Sequence, residues 1–334
     1  MSIRSLARAW NEFFFQPQPP TPVALFRIAY GLLVIAALAL LRADWFTWYG
    51  TRGMTTLETM QKMEPGTRIN LFALMPPGDA WVEALFWVFL GFAVMLTAGF
   101  LTRLSSIAVF LCLCSVHERS LYILNAGDTL LRVTGFFLMF APAGAAFSVD
   151  RWLRIRRGKE GPEIAPKPPW AQRMIQIQLS LAYFVTFYFK TLGPGWLDGT
   201  ALYYVYRLDE FRRFPAPAFL QDPLMVRLAT WGTLGLEFAL GVLIWFRELR
   251  YPILLAGAAL HLSLEYMLNI PLFQWIILST YVTFECPEDL TRAWKWVRER
   301  AGGRRARVET RMPGDHGGRS SDFRKRSSPP RPLS

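Results

Sequence analysis

His117, Glu118 and Arg119 follow one another in the chain, and Asp128 and Arg132 stand four residues apart just beyond them. Tyr183, Tyr188 and Lys190 close one apolar run, and His261 and Glu265 lie one helical turn apart in another. Ionisable groups inside apolar runs are costly and usually face a cavity or a partner. His261-x-x-x-Glu265 with His117-Glu118 has the right residue types for a metal. There is no HExxH pair and no third histidine on an apolar segment (His316 is in the tail), so no metal is expected. Phosphate-binding glycine loops and nucleophile elbows are absent. Three cysteines, Cys112, Cys114 and Cys286, make no disulfide framework. Each group also has a plainer reading. Asp128 caps a helix or pairs locally with Arg132. His261 and Glu265 satisfy each other. Lys190 and Arg27 reach a membrane interface along their aliphatic stems.

The elements that carry these groups are apolar. Hydrophobic residues make up 52% of the chain and charged residues 19%, against about 25% charged in globular domains. The net charge of +12 is concentrated in the tail, where residues 300–334 hold ten Lys/Arg and three Asp/Glu. The body is therefore no nucleic-acid binder. A membrane-crossing helix needs about 20 mainly apolar residues. Eight segments approach that: 23–43, 80–100, 104–124, 128–147, 171–192, 223–246, 250–269 and 271–286. The expected fold is all-α, a polytopic transmembrane bundle of about eight spans. Asp222-Pro223 is a cap-plus-proline start, Asp128 a cap-like start, and Pro271 ends the seventh helix and begins the eighth.

Arg151, Arg154, Arg156, Arg157, Lys159, Lys167 and Arg173 crowd the segment 148–173. Under the positive-inside rule that loop and both termini are cytoplasmic. Residues 23–41 are too long an apolar run for a cleavable signal. Ile3, Leu6, Trp10, Phe13 and Phe14 share a helical face, which suits a helix lying at the interface. Residues 44–79 and 197–222 are rich in aromatic residues, Pro and Gly, and are expected to form short interfacial helices on the outer side. The domains expected are 1–22, an amphipathic helix and Pro-rich linker; 23–292, the transmembrane unit; and 293–334, a basic, disordered cytoplasmic tail attracted to anionic lipid.

With eight spans, Lys190, His117, Asp128, Arg132, His261 and Glu265 all fall in the outer half of the bilayer. A charged group facing lipid costs at least ~2.5–3.5 kcal/mol. One shared, outward-opening pocket would let these acids and bases compensate one another.

Tyr183-Phe-Val-Thr-Phe-Tyr-Phe-Lys190-Thr-Leu-Gly-Pro-Gly-Trp196-Leu-Asp-Gly199 resembles the Lys…Trp-x-x-Gly segment of the vitamin K-dependent gamma-carboxylase family, whose transmembrane unit in bacteria is called the HTTM domain. His117-Glu-Arg119-Ser…Asn125-Ala-Gly-Asp128-Thr-Leu-Leu-Arg132 resembles that domain's His-x-Arg…Asn-Gly-Gly-Asp…Arg segment, and His261 with 272–290 resembles its C-terminal end. The resemblance covers about residues 20–292. It implies a membrane enzyme that uses a reduced naphthoquinone, oxygen and carbon dioxide, with a lysine as base. The family has two adjacent lysines, the second being the base; here the pair reads Lys190-Thr191, so threonine holds the base position. The large extramembrane domain of the carboxylase has no counterpart in residues 293–334.

By this resemblance Lys190, His117 and His261 are candidate catalytic residues, and Glu118, Arg119, Asp128, Arg132, Trp196 and Glu265 support the pocket. Membrane lipid, a quinone and a peptide or small-molecule substrate are the implied partners, and a bacterial inner membrane the implied location. The competing reading is a non-catalytic membrane module that binds a lipid or quinone, or assists an envelope system.

Overall fold

The computed structural model describes residues 2–54, 56–63, 70–290 and 292. Among the described residues there are fourteen α-helices and no strand, only two isolated backbone pairs, Gln18–Lys167 and Arg212–Leu268. The helices are α1 (Ile3–Phe15), α2 (Thr21–Leu41), α3 (Trp45–Tyr49), α4 (Leu57–Met63), α5 (Asp79–Ala98), α6 (Thr102–Arg119) and α7 (Ala126–Leu138). After these come α8 (Val149–Arg156), α9 (Trp170–Thr191), α10 (Pro194–Leu197), α11 (Ala201–Val205), α12 (Pro223–Gly241), α13 (Arg247–Met267) and α14 (Phe273–Tyr281). Each apolar segment of the sequence contains a helix.

By length and composition, α2 and α5 are long and apolar enough to cross a membrane. They pack on each other, Gly31 of α2 closing on Thr97 of α5, and both feed the buried core, with Phe26, Tyr30, Val34 and Leu38 from α2 and Phe86, Phe89 and Leu96 from α5. Their outer faces leave Leu32, Leu40, Trp87 and Val94 exposed. Helices apolar all round suit hydrocarbon rather than water.

Several ends differ from expectation. α7 stops at Leu138, because Pro142 and Gly144 follow and proline cannot donate to a helical ladder. Asn125, not Asp128, is its N-cap: Asn125 Oδ1 accepts from the Gly127 N–H at 2.7 Å, and Asp128 sits at the third helical position and accepts from the Asn125 N–H at 2.7 Å. Within the basic loop, Ser148 caps the unexpected short helix α8. Pro271 lies in the turn between α13 and α14, where Leu272 takes a positive φ of 59°. Asp222 does cap α12 ahead of Pro223, accepting from the N–H groups of Leu224 and Met225.

α1 is not a separate piece. Phe14 is buried, Phe13 packs on Trp245, and the Arg173 guanidinium lies 4.9 Å over the Phe13 ring. Ile3, Leu6 and Trp10 stay exposed, so the expected single face divides between the bundle and the surroundings. The tail expected at 293–334 lies outside the described residues.

Arg27 does not reach an interface. It is 0% exposed. Its two terminal nitrogens donate to the carbonyls of Ala143, Ala146, Thr97 and Phe147 at 2.6–3.4 Å. These oxygens belong to the last turn of α5 and the turn after α7, where helical carbonyls have lost their partners. Gly99, the left-handed end of α5 at φ 69°, lets the guanidinium in: a Cβ there would stand 2.5 Å from Nη1. Nearby, Leu101 has a positive φ and no capping side chain, so Asp150 of α8 caps α6 from a distance. It accepts from the Leu101 and Thr102 N–H groups and the Thr102 hydroxyl at 2.7–2.8 Å.

α9 packs on α7 and α12, α13 on α12 and α14, and α14 on α2 and α7. Five helices, α7, α9, α12, α13 and α14, thus meet around one space.

Candidate functional site

That space is a cavity of ≈ 660 Å³. Its walls are mostly apolar, with Leu130, Leu179, Leu236, Leu264, Met267, Phe273 and Ile277 among them, and the small Ala182, Ala229 and Gly232 make room. On α9 the lining positions Tyr183, Thr186 and Lys190 are three and four residues apart, and on α12 Ala229, Thr233 and Glu237 are four apart. Each set therefore forms one helical stripe.

Two polar assemblies face the cavity. In the first, Lys190 Nζ donates to Glu237 Oε1 and stands 4.4 Å over the Trp196 ring. The Lys190 side chain is 21% exposed and that of Glu237 8%. Helical side chains lean toward the helix N-terminus, and Lys190 follows that lean back along α9 to its partner on α12. The expected escape to an interface is replaced by a buried ion pair. Glu237 Oε2 is buried and has no partner among the described residues.

The second assembly is neutral. The Tyr183 hydroxyl is 2.6 Å from His261 Nε2 and 2.7 Å from the Tyr281 hydroxyl, and His261 Nδ1 is 2.5 Å from Gln274 Oε1. An amide oxygen only accepts, so Nδ1 of the neutral ring carries the hydrogen and Nε2 accepts from Tyr183. Tyr183 in turn accepts from Tyr281. The expected His261–Glu265 pair does not form.

Of the residues singled out from sequence, the cavity brings together Tyr183, Lys190, Trp196 and His261. The shared pocket of six ionisable residues is not found. Glu265 is ion-paired with Arg213 at 2.5 Å, outside the lining. Arg132 pairs with Glu118 at 2.7 Å rather than with Asp128. His117 is buried on α6 away from the cavity, its Nδ1 without a partner among the described residues. Arg119 lies 5.9 Å from the Phe72 ring and lines a different hollow of ≈ 400 Å³ with Tyr49 and Trp81. The reason is angular. Membrane depth places a residue along a helix, not around it. α7 lends the cavity Ala126 and Leu130, while Asp128 and Arg132 of the same helix do not line it. Thr191, at the base position of the resemblance, is half-buried, does not line the cavity and back-bonds to the Tyr188 carbonyl at 2.6 Å.

Glu237 is a carboxylate midway along an apolar segment, and an ionisable group there needs a cavity or a partner, but its own segment does not show which. Gln274 and Tyr281 had passed unremarked, although a glutamine in so apolar a segment is itself a signal, since a buried amide needs a partner.

The HTTM domain profile matches residues 15–289. The Bacillus subtilis (strain 168) protein YitO, itself uncharacterized, is 22% identical over 238 residues, covering 69% of this chain and 75% of YitO. No solved structure matches.

Proposed function

The chain belongs to the HTTM domain family of membrane proteins, and we propose that it is a quinol-using membrane enzyme of carboxylase-like chemistry. In this reading about eight helices span a bacterial inner membrane, the basic segment 148–173 and both termini are cytoplasmic, and the cavity opens outward. The observation that carries it is the cavity's division of labour: apolar walls around an ion pair, Lys190–Glu237, and a histidine–tyrosine chain. Such a space fits an amphiphile with a flat, oxygen-bearing head and a hydrocarbon remainder.

A reduced naphthoquinone fits this donor set. Lys190, Glu237 and the Tyr183–His261 pair would face its oxygens, and Leu236, Leu264 and Phe273 its apolar part. When bound, it would supply the reducing equivalents for oxygen-dependent chemistry. Lys190 supplies a positive charge where negative charge develops, in a site with little water to screen it. The apolar wall keeps water from quenching a strong base. A peptide or small-molecule acceptor would enter from the outer side.

One observation favours the second reading, a non-catalytic module for a lipid or quinone. Thr191 stands where the resemblance requires a base, and Lys190 is engaged by Glu237 and Trp196. Mass spectrometry of small molecules co-purified with the full chain separates the two. A naphthoquinone, together with quinol oxidation by the reconstituted protein, supports the enzyme. Phospholipid alone with no turnover overturns it. Reporter fusions at Pro162 and Gly318 are expected to score cytoplasmic; an external signal at either rejects the topology.

A further inference from the structure

We infer that Glu237, not Lys190, is the proton-accepting group of this cavity, its Oε2 taking the hydrogen of a ligand hydroxyl. The inference rests on the reading of the cavity as a site for a quinol-like amphiphile and names the chemistry of its polar end.

Glu237 is 6% exposed. Its Oε1 accepts from Lys190, and its Oε2 is buried without a partner among the described residues. An ionised carboxylate has about four acceptor sites, and leaving one oxygen of a buried charge unsatisfied is costly. The cavity's own hydroxyls do not answer it: Tyr206 lines the cavity without bonding Oε2, and the others are engaged elsewhere. Thr186 donates to the Ala182 carbonyl, Thr233 to the Ala229 carbonyl and Ser263 to the Leu260 carbonyl, each at 2.7–2.8 Å. The Tyr183 hydrogen goes to His261 Nε2. The open valence is thus an acceptor, and what completes it is a donor brought by the ligand.

Lys190 is placed for a different task. An ammonium has donors and no acceptor. Its hydrogens engage Glu237, and its charge lies over the Trp196 ring, both of which stabilise the cation. Acting as a base would require it to give up both. In the step inferred here the ligand O–H bond breaks and its electron pair remains on the ligand oxygen. The proton forms a new O–H bond at Oε2. The Lys190 ammonium then balances the charge that has moved from carboxylate to ligand.

The test compares two probes in nanodiscs holding the full chain: 2-methylnaphthalene-1,4-diol, kept anaerobic, and its dimethyl ether. They differ in the hydroxyl hydrogens and the methyl groups that replace them. Tryptophan fluorescence reads binding. The diol is expected to bind at least about tenfold more tightly, the range of a hydrogen bond to a charged acceptor. In Glu237→Gln the preference should vanish or invert, because Lys190 claims the amide oxygen and turns the NH₂ toward the ligand. If that variant does not fold, the wild type gives a second readout: carboxylate infrared bands shift with the diol and not with the ether. A diol preference unchanged in Glu237→Gln, or carboxylate bands that do not move, overturns the Glu237 assignment and leaves the quinol reading in place. Equal binding of the two probes does the same. Failure of the wild type to bind either probe overturns the quinol reading, and the assignment with it.

Discussion

Arg27 and Lys190 are both cations drawn into the bundle, and their surroundings differ in what is left over. Four carbonyl oxygens take the two terminal nitrogens of the Arg27 guanidinium, its Nε is buried without a partner among the described residues, and none of the described cavities touches it. Those carbonyls carry the partial negative charge of helix ends, so the arginine ties the close of α5 to the turn after α7. Lys190 has one carboxylate and one ring, and beside them a cavity of ≈ 660 Å³ with a buried oxygen that no described residue satisfies. A buried charge is thus no evidence of a site by itself. Space together with an unfilled valence is.

The comparison breaks most directly at Arg27. Arg27→Met strands four carbonyls. At ~1–3 kcal/mol for each, the expected loss is at least about 4 kcal/mol, a large share of the whole stability of many proteins. Folded protein recovered in detergent should fall to near background. Arg27→Lys should fare only slightly better, since a single ammonium cannot span the same acceptors. Recovery of either variant at the wild-type level would remove the structural role.

At Lys190 the loss should be smaller and reversible. Lys190→Met leaves Glu237 buried without its cation, a cost of about 3 kcal/mol. Lys190→Met combined with Glu237→Leu should restore most of the lost thermal stability while abolishing ligand binding, because an apolar pair of similar size tolerates burial. A double variant no more stable than Lys190→Met alone would show that the pair does not act as a unit. Arg27 has no such second site, because its partners are backbone.

The next effect is smaller and depends on pH. Burial pushes the Asp150 carboxyl up, but the Thr102 N–H and hydroxyl, the Leu101 N–H and the Arg154 charge outweigh it and hold the group below the ordinary 3.8. The folded state therefore binds this proton more weakly than the unfolded state. The stabilisation is fully present above 3.8 and is lost as the pH falls through the lower folded-state value. Asp150→Asn should cost about 1 kcal/mol near neutrality, as for other helix caps. The gap to wild type should close in acid. A gap that stays constant down to that range would assign the cost to packing.

Residue type and spacing made the helices legible: every apolar segment holds one, and Asp222-Pro223 marks its start in both sequence and structure. The ends of α7 were less so, because Asn125 and Asp128 are both good capping residues and only backbone geometry separates their positions. The site was legible in part. Lys190, His261 and Trp196 carry chemistry in their own types, but the partner of Lys190 lies 47 residues away on another helix. That pairing is set by how far each helix is rotated about its axis, which a single sequence does not state. The same freedom dispersed His117, Asp128, Arg132 and Glu265. Arg27 was misread because snorkelling needs only a nearby interface, whereas the carbonyls that hold it come from residues 97–147.

Two glycines give the sharpest form of the comparison, and at the second the smallest cost to folding. A Cβ at Gly99 would meet Arg27 Nη1 and Ser148 Cβ at 2.5 Å, in a backbone with φ 69°. Gly99→Leu should therefore fail to fold for the same reason as Arg27→Met. Gly232 also lies against the chain's business end, lining the cavity, yet a Cβ there meets nothing within 4 Å. Gly232→Leu adds a good helix former in a helix interior, worth roughly 0.8–1.0 kcal/mol, so thermal stability should hold or rise slightly. The leucine must still occupy volume that a ligand would need. Binding of the naphthalenediol probe should weaken by at least about tenfold, in line with a few kcal/mol for steric conflict in a packed site. Gly235→Leu is the control: a Cβ there also meets nothing within 4 Å, but the residue is not part of the cavity wall, so binding should not change. If Gly232→Leu binds the probe as wild type does, the ligand sits elsewhere. The contrast between a buried charge without space beside it and one that borders a cavity would then lose its functional meaning.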